Sequence, residues 1–123
     1  MTTLTRPPQR VQRRMTANWR APLDPQGRRP VYVGRPGRWG NPFVVGETVT
    51  PPVESYSPKP VYVRDAAHAV QLYRKWLLGS ANRCSDLVPL LAGRDLMCWC
   101  PLSSPCHADV LLELANEEAH RDR

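Results

Sequence analysis

Apolar and polar positions along this chain predict one small mixed domain behind an irregular N-terminal stretch. Residues 1–29 hold few large apolar side chains, and Pro7, Pro8, Pro22 and Pro25 interrupt them, so they predict a basic, Pro-rich disordered arm. Val31-Tyr-Val33, bounded by Pro30 and Gly34, predicts a short strand. Phe43-Val-Val45 predicts a brief pairing segment. The Pro- and Ser-rich stretch 47–60 predicts a variable excursion, and Val61-Tyr-Val63 another strand or extended lead-in.

From Asp65 the period changes. Asp65 is a good N-cap, Ala69, Val70, Tyr73, Trp76 and Leu77 form one helical stripe, and Gly79 supplies a stop, predicting a helix over 66–78. A shorter helix is predicted from a Ser85 cap to Gly93, with Pro89 in its first turn and Leu87, Val88, Leu90 and Leu91 buried. Leu96-Met-Cys-Trp-Cys100 is a continuous apolar run, as expected of a buried central strand. A last helix is predicted with Ser104 as cap and Pro105 in first position; His107, Val110, Leu111 and Leu114 share its apolar stripe. Strands alternating with helices argue for an α/β domain over 30–118, followed by a charged tail at 119–123.

Length allows one core in 123 residues. No membrane-length apolar run or cleavable signal is legible. Four cysteines, three of them crowded between Cys98 and Cys106 and Cys84 alone, do not form a secreted disulfide framework, so a reducing cytoplasm is expected. The net charge of +6 is uneven: residues 1–38 carry nine arginines against the single acid Asp24, and the rest of the chain is slightly acidic. Fifteen of the 17 basic residues are Arg. That preference suits phosphate recognition by planar guanidinium groups, and equally a GC-rich genome.

Two motifs carry candidate chemistry. Cys98, Cys100, Cys106 and His107 would make a zinc site by ligand count and softness. Two residues apart on a strand, Cys98 and Cys100 have Cα atoms about 6.6 Å apart. Thiolates on one zinc sit roughly 3.8 Å apart, so the strand would have to bend before Pro101. Without metal, Cys106 at the start of a helix would be a low-pKa thiolate, with His107 and Asp109 beside it as catalytic partners. The plainer alternative makes all three cysteines ordinary core residues. In the glycine-flanked loop 34–43, Arg35 and Arg38 would take phosphate, Trp39 would stack on a base and Asn41 would read a polar edge. Alternatively Trp39 and Phe43 cap the core and Asn41 bonds its own backbone.

Val31-Tyr-Val-Gly-Arg35, Arg38-Trp-Gly-Asn-Pro-Phe43, Tyr73-Arg-Lys-Trp-Leu77, Leu96-Met-Cys-Trp-Cys100 and Cys106-His-Ala-Asp-Val-Leu111 occur together in this order. In that combination the chain resembles domain-of-unknown-function family 4326, small bacterial and phage proteins, over about residues 31–115. The resemblance implies a Rossmann-like domain of two or three layers with a short, mostly parallel sheet and a Cys-His pair after a buried strand; it implies no reaction. The expectation is a nucleotide- or nucleic-acid-directed pocket lined by both motifs, in an enzyme or nucleotide sensor with Cys106 and His107 as the reactive or ligating pair. The alternative is a zinc-stabilised nucleic-acid-binding module.

Overall fold

The computed structural model describes residues 6–50, 59–79 and 87–121. Its centre is a three-stranded parallel sheet in the order β1-β5-β2, with β1 Arg10–Gln12, β2 Val31–Tyr32 and β5 Leu96–Cys98. The pairing is Arg10 to Leu96 and Gln12 to Cys98 on one edge of β5, and Val31 to Leu96 on the other. Leu96 and Cys98 are buried, as the apolar run requires of a strand with neighbours on both sides. A second, antiparallel ribbon joins β3 Thr48–Val49 to β4 Val61–Tyr62.

The helices follow their caps. In α1 (Ala66–Leu78) the Asp65 carboxylate accepts the His68 N–H at 2.8 Å, and the Gly79 N–H closes the last turn onto Lys75. Ala69, Tyr73, Trp76 and Leu77 of its stripe are buried. They meet Val33, Phe43, Val63 and Leu111 in one core. The second helix, α2, spans His107–Arg121 and packs against α1, β5 and the short 3₁₀ turn Val88–Leu91. Outside the core, Arg74 and Glu113 join α1 to α2 at 2.9 Å; both are well exposed, so this pair contributes little. Among the described residues no helix is long and apolar enough to cross a membrane.

Several expectations are corrected. Part of the expected arm is in the sheet: β1 lies within 1–29, and Val11 is buried. Three residues with one apolar side chain are too short to show as a period, and their partner is more than 80 residues away in sequence. Phe43-Val-Val45 does not pair, because the Phe43 N–H is taken by the Asn41 side-chain oxygen at 2.8 Å; the ribbon begins where Gly46 donates to the Val63 carbonyl. The helix expected before Gly93 is a 3₁₀ turn. With three residues per turn, Val88 and Leu91 align inward while Leu90 is left 64 % exposed. The last helix starts two residues after its expected first position and runs to Arg121, through part of the expected tail. Cys84 and Ser85 lie outside the described residues.

Buried Asp95 ties the N-terminal segment to β5. It accepts two hydrogen bonds from the Arg6 guanidinium, at 2.9 and 2.8 Å, and one from the Gln9 N–H. The Arg6 bonds hold its pKa below the ordinary carboxylate value against the opposing effect of burial. A depressed native pKa stabilises the fold at pH above the ordinary carboxylate range, and that contribution fades as pH falls through this range toward the native value. Asp95→Asn is therefore expected to lower Tm at neutral pH, with the gap to wild type closing as pH falls through and below the ordinary carboxylate range. Thermal melts of both proteins across the acid range check this; a gap independent of pH contradicts it.

Candidate metal centre

β5 ends at Cys98, and the chain bends at Trp99 and Cys100 before a turn at 102–103 leads to Cys106 and α2. This bend replaces the straight continuation expected over Leu96–Cys100. It leaves Trp99 43 % exposed, and it brings Cys100 to the same side as Cys98. The Sγ atoms of Cys98, Cys100 and Cys106 all lie within 4.8 Å of one another, a donor set that can hold a metal ion. Cys98 and Cys106 are in thiol contact at 3.0 Å, and all three cysteines are free.

The three thiols do not titrate alike. Hydrogen bonds from Cys106 and Cys98 pull Cys100 far below the ordinary thiol range, with the Arg10 guanidinium adding favourable charge. Cys106 moves the other way, raised by its bonds to Cys100 and Cys98 and by burial. Cys98 is raised too, first by its bond to Cys100. The expected thiolate at the helix start is thus relocated. Cys106 sulfur does accept the Ala108 N–H at 3.5 Å, as a capping side chain would, but at 1 % exposure it keeps its proton and donates it in hydrogen bonds to the neighbouring sulfurs. The half-buried Cys100 is the thiol whose pKa is lowered, so it is the most acidic of the three.

His107 is buried beside this trio and is not a member of it. Its Nε2 lies 2.6 Å from the Val33 carbonyl oxygen, which can only accept, so Nε2 bears the proton and Nδ1 carries the free lone pair. Nδ1 faces Cys106 sulfur at 3.7 Å. The ring packs edge-on against Tyr73 at 5.0 Å, and burial lowers its pKa, keeping it neutral. Its first role is to fasten α2 to the end of β2.

The sulfur trio opens on a cavity of 280 Å³. Cys98, Cys100, Cys106 and His107 form one wall, and Arg35, Asn41 and Phe43 belong to the other. The two motifs singled out in the sequence therefore share one cavity, though not with every residue. Arg38 and Trp39 are not among its lining residues: Trp39 is buried, its carbonyl accepts the Tyr73 hydroxyl at 2.9 Å, and the Arg38 guanidinium lies over its ring at 5.5 Å. Asn41 lines the cavity, but its amide donates to the Ala69 carbonyl and accepts the Phe43 N–H, anchoring the loop to α1. Gly40 lets that loop fold tightly, since a Cβ there would stand 3.1 Å from the Arg35 Cα.

Residues 11–117 match the family described as Domain of unknown function (DUF4326). The chain belongs to that family. No curated protein and no solved structure matches it.

The DUF4326 centre depends on a residue that pattern reading missed. Arg10, with its side chain 8 % exposed, donates to the carbonyls of Pro101, Leu102 and Ser104 at 3.1, 2.8 and 2.8 Å. It also meets Asp109 at 3.2 Å. Asp109, expected as a catalytic partner, is 54 % exposed and outside the cavity; its charge serves this clamp. Arg10 thereby fixes the turn that carries the chain from Cys100 to Cys106. Only its place between polar and apolar neighbours in β1 could have hinted at this. Arg10→Gln is expected to destabilise the fold by on the order of 2 kcal/mol, the scale of lost charge-assisted hydrogen bonds. It should also speed the reaction of Cys100 with an aromatic disulfide reagent. Chemical unfolding and thiol kinetics test both effects, and unchanged thiol kinetics would show that the clamp does not position the cysteines.

Proposed function

We propose that Cys98, Cys100 and Cys106 hold one zinc ion at the wall of the 280 Å³ cavity and that the cavity takes a nucleobase- or nucleoside-sized ligand against it. The observation that carries this reading is the convergence of three sulfurs on the lining of a cavity rather than inside closed core. Thiolates select soft metals. A structural zinc is normally closed by four protein ligands, whereas three ligands beside a cavity are the pattern of a centre that leaves room for substrate.

The cavity suits a small, largely apolar partner. Its volume is at the lower limit of ordinary ligand pockets, too small for a dinucleotide, and Phe43, Val45, Ala69 and Val70 supply much of its lining. Arg35 at its border would meet an anionic group such as a phosphate. When bound, zinc would supply Lewis-acid polarisation of the ligand or of water. The chain's own groups orient the ligand and exclude solvent, with His107 offering the Nδ1 lone pair. Thiols placed after a parallel strand and before a helix agree with a Rossmann-like kinship, and free thiols suit a reducing compartment such as the cytoplasm.

The second reading, a structural zinc closed by His107, is favoured by the 3.7 Å approach of Nδ1 to Cys106 sulfur. Metal analysis separates the two. About one zinc per chain is expected, lost on replacing any of Cys98, Cys100 or Cys106 by Ser and retained in His107→Gln. Cobalt substitution should show thiolate charge-transfer absorption in wild type and in the His107 variant alike. Loss of metal in His107→Gln transfers the assignment to the structural reading, and metal-free protein with intact thiols overturns both. Arg35→Gln should weaken binding of a nucleoside monophosphate about tenfold and leave the nucleoside unaffected, as expected for one charge-assisted contact.

A further inference from the structure

We propose that a second, separate surface, the arginine- and tryptophan-lined groove over the Met97 side of β5, binds single-stranded nucleic acid. Successive side chains of a strand point to opposite faces. Cys98 accordingly belongs to the thiol cavity, while Met97 lies in a groove of 930 Å³ bordered by Arg13, Trp19, Arg20 and Arg29. The chain after β1 folds over this side of the sheet and supplies all four of those groups.

The charge of the groove is one-signed. None of its lining residues is acidic, and among the described residues no carboxylate pairs with Arg13, Arg20 or Arg29. Asp24, the acid nearest in sequence, is consumed: Arg28 bonds it through Nε at 2.8 Å, and the backbone N–H groups of Gln26 and Arg28 complete its shell. Three guanidinium groups around an open cleft, none held by a carboxylate among the described residues, favour a chain of phosphates.

Aromatic surface sits beside the charge. The Arg13 guanidinium is held between two rings, 5.5 Å from the Tyr32 centroid and 5.2 Å from that of Trp99. Trp99 is 43 % exposed although its neighbour Cys98 is buried, an expensive placement for the largest apolar side chain unless a partner covers it. Stacking rings interleaved with unpaired arginines are what unpaired bases on a phosphate backbone require, whereas an acidic peptide or a lipid headgroup would use the charge and leave the rings idle. A duplex hides its base faces, and this groove offers no helix for a major groove. The proposal does not depend on the metal: Met97 and the sulfur cluster lie on opposite faces of β5, and Trp99, at the bend after the strand, borders the thiol cavity while its ring meets Arg13 of the groove.

Fluorescence anisotropy with the full chain tests this, using labelled oligo-dT and oligo-U of about 12 nucleotides, a duplex of equal length and polyglutamate as competitor. Both single strands should bind more tightly than the duplex and resist polyglutamate. The double variant Arg20→Gln/Arg29→Gln, altered at exposed positions, should reduce the slope of log K against log salt by about 1.4, two phosphate contacts' worth. Trp19→Ala should cost about tenfold in affinity with little change of slope, and Trp19→Phe should recover most of it. Absence of binding at low salt overturns the proposal. So does an unchanged slope in the double variant, duplex binding equal to single-strand binding, or displacement by polyglutamate at equal charge concentration.

Discussion

Everything that carries chemistry here hangs from the hydrogen-bonding of β5 along both of its edges. Arg10–Gln12 occupies one edge and Val31–Tyr32 the other, and the ladders continue beyond the strands, with the Arg13 N–H on the Cys98 carbonyl and the Val33 N–H on that of Met97. Held on both sides, β5 cannot slide. A shift by one residue would exchange Cys98 for Met97 between the cavity and the groove. The strand thus fixes which side is thiol and which is arginine and tryptophan.

Two buried polar anchors secure that register. Asp95, just before β5, gathers Arg6 and Gln9, while Arg10 spans from β1 to the carbonyls after Cys100. His107 does the same for the other edge by binding the Val33 carbonyl. In each case a side chain from one element satisfies backbone or carboxylate groups of another that would be costly to bury alone. The sulfur trio is positioned by these contacts, which reach it from both ends of the sequence.

The legible parts of the sequence were those with a long local period or a distinctive cap. Helix α1 could be bounded at both ends because Asp65, the five-residue stripe and Gly79 agree. Of the 34–43 loop, Arg35 and Asn41 line one cavity with Cys100 and Cys106, whereas Arg38 and Trp39 do not, a division that neither motif shows in the sequence. Individual roles were less legible. Asn41 and Trp39 are spent on internal hydrogen bonds, and Asp109 on Arg10; these partners are fixed by tertiary contacts spanning tens of residues. β1 escaped notice because two- and three-residue strands have no period, and Arg10 because an isolated arginine in a basic stretch resembles its neighbours. The ranking of thiol acidities also needed coordinates, since it follows first from which sulfurs bond to which across the turn.

The strand order bears on how the chain is made. β1 and β2 do not touch each other in the sheet; each pairs only with β5, which lies some 60 residues beyond β2 in sequence. A nascent chain emerging from the ribosome therefore has two strands waiting without a template until β5 appears. Helix α1 can form early on its own caps, but the parallel sheet, the arginine clamp and the sulfur cluster must assemble together and late.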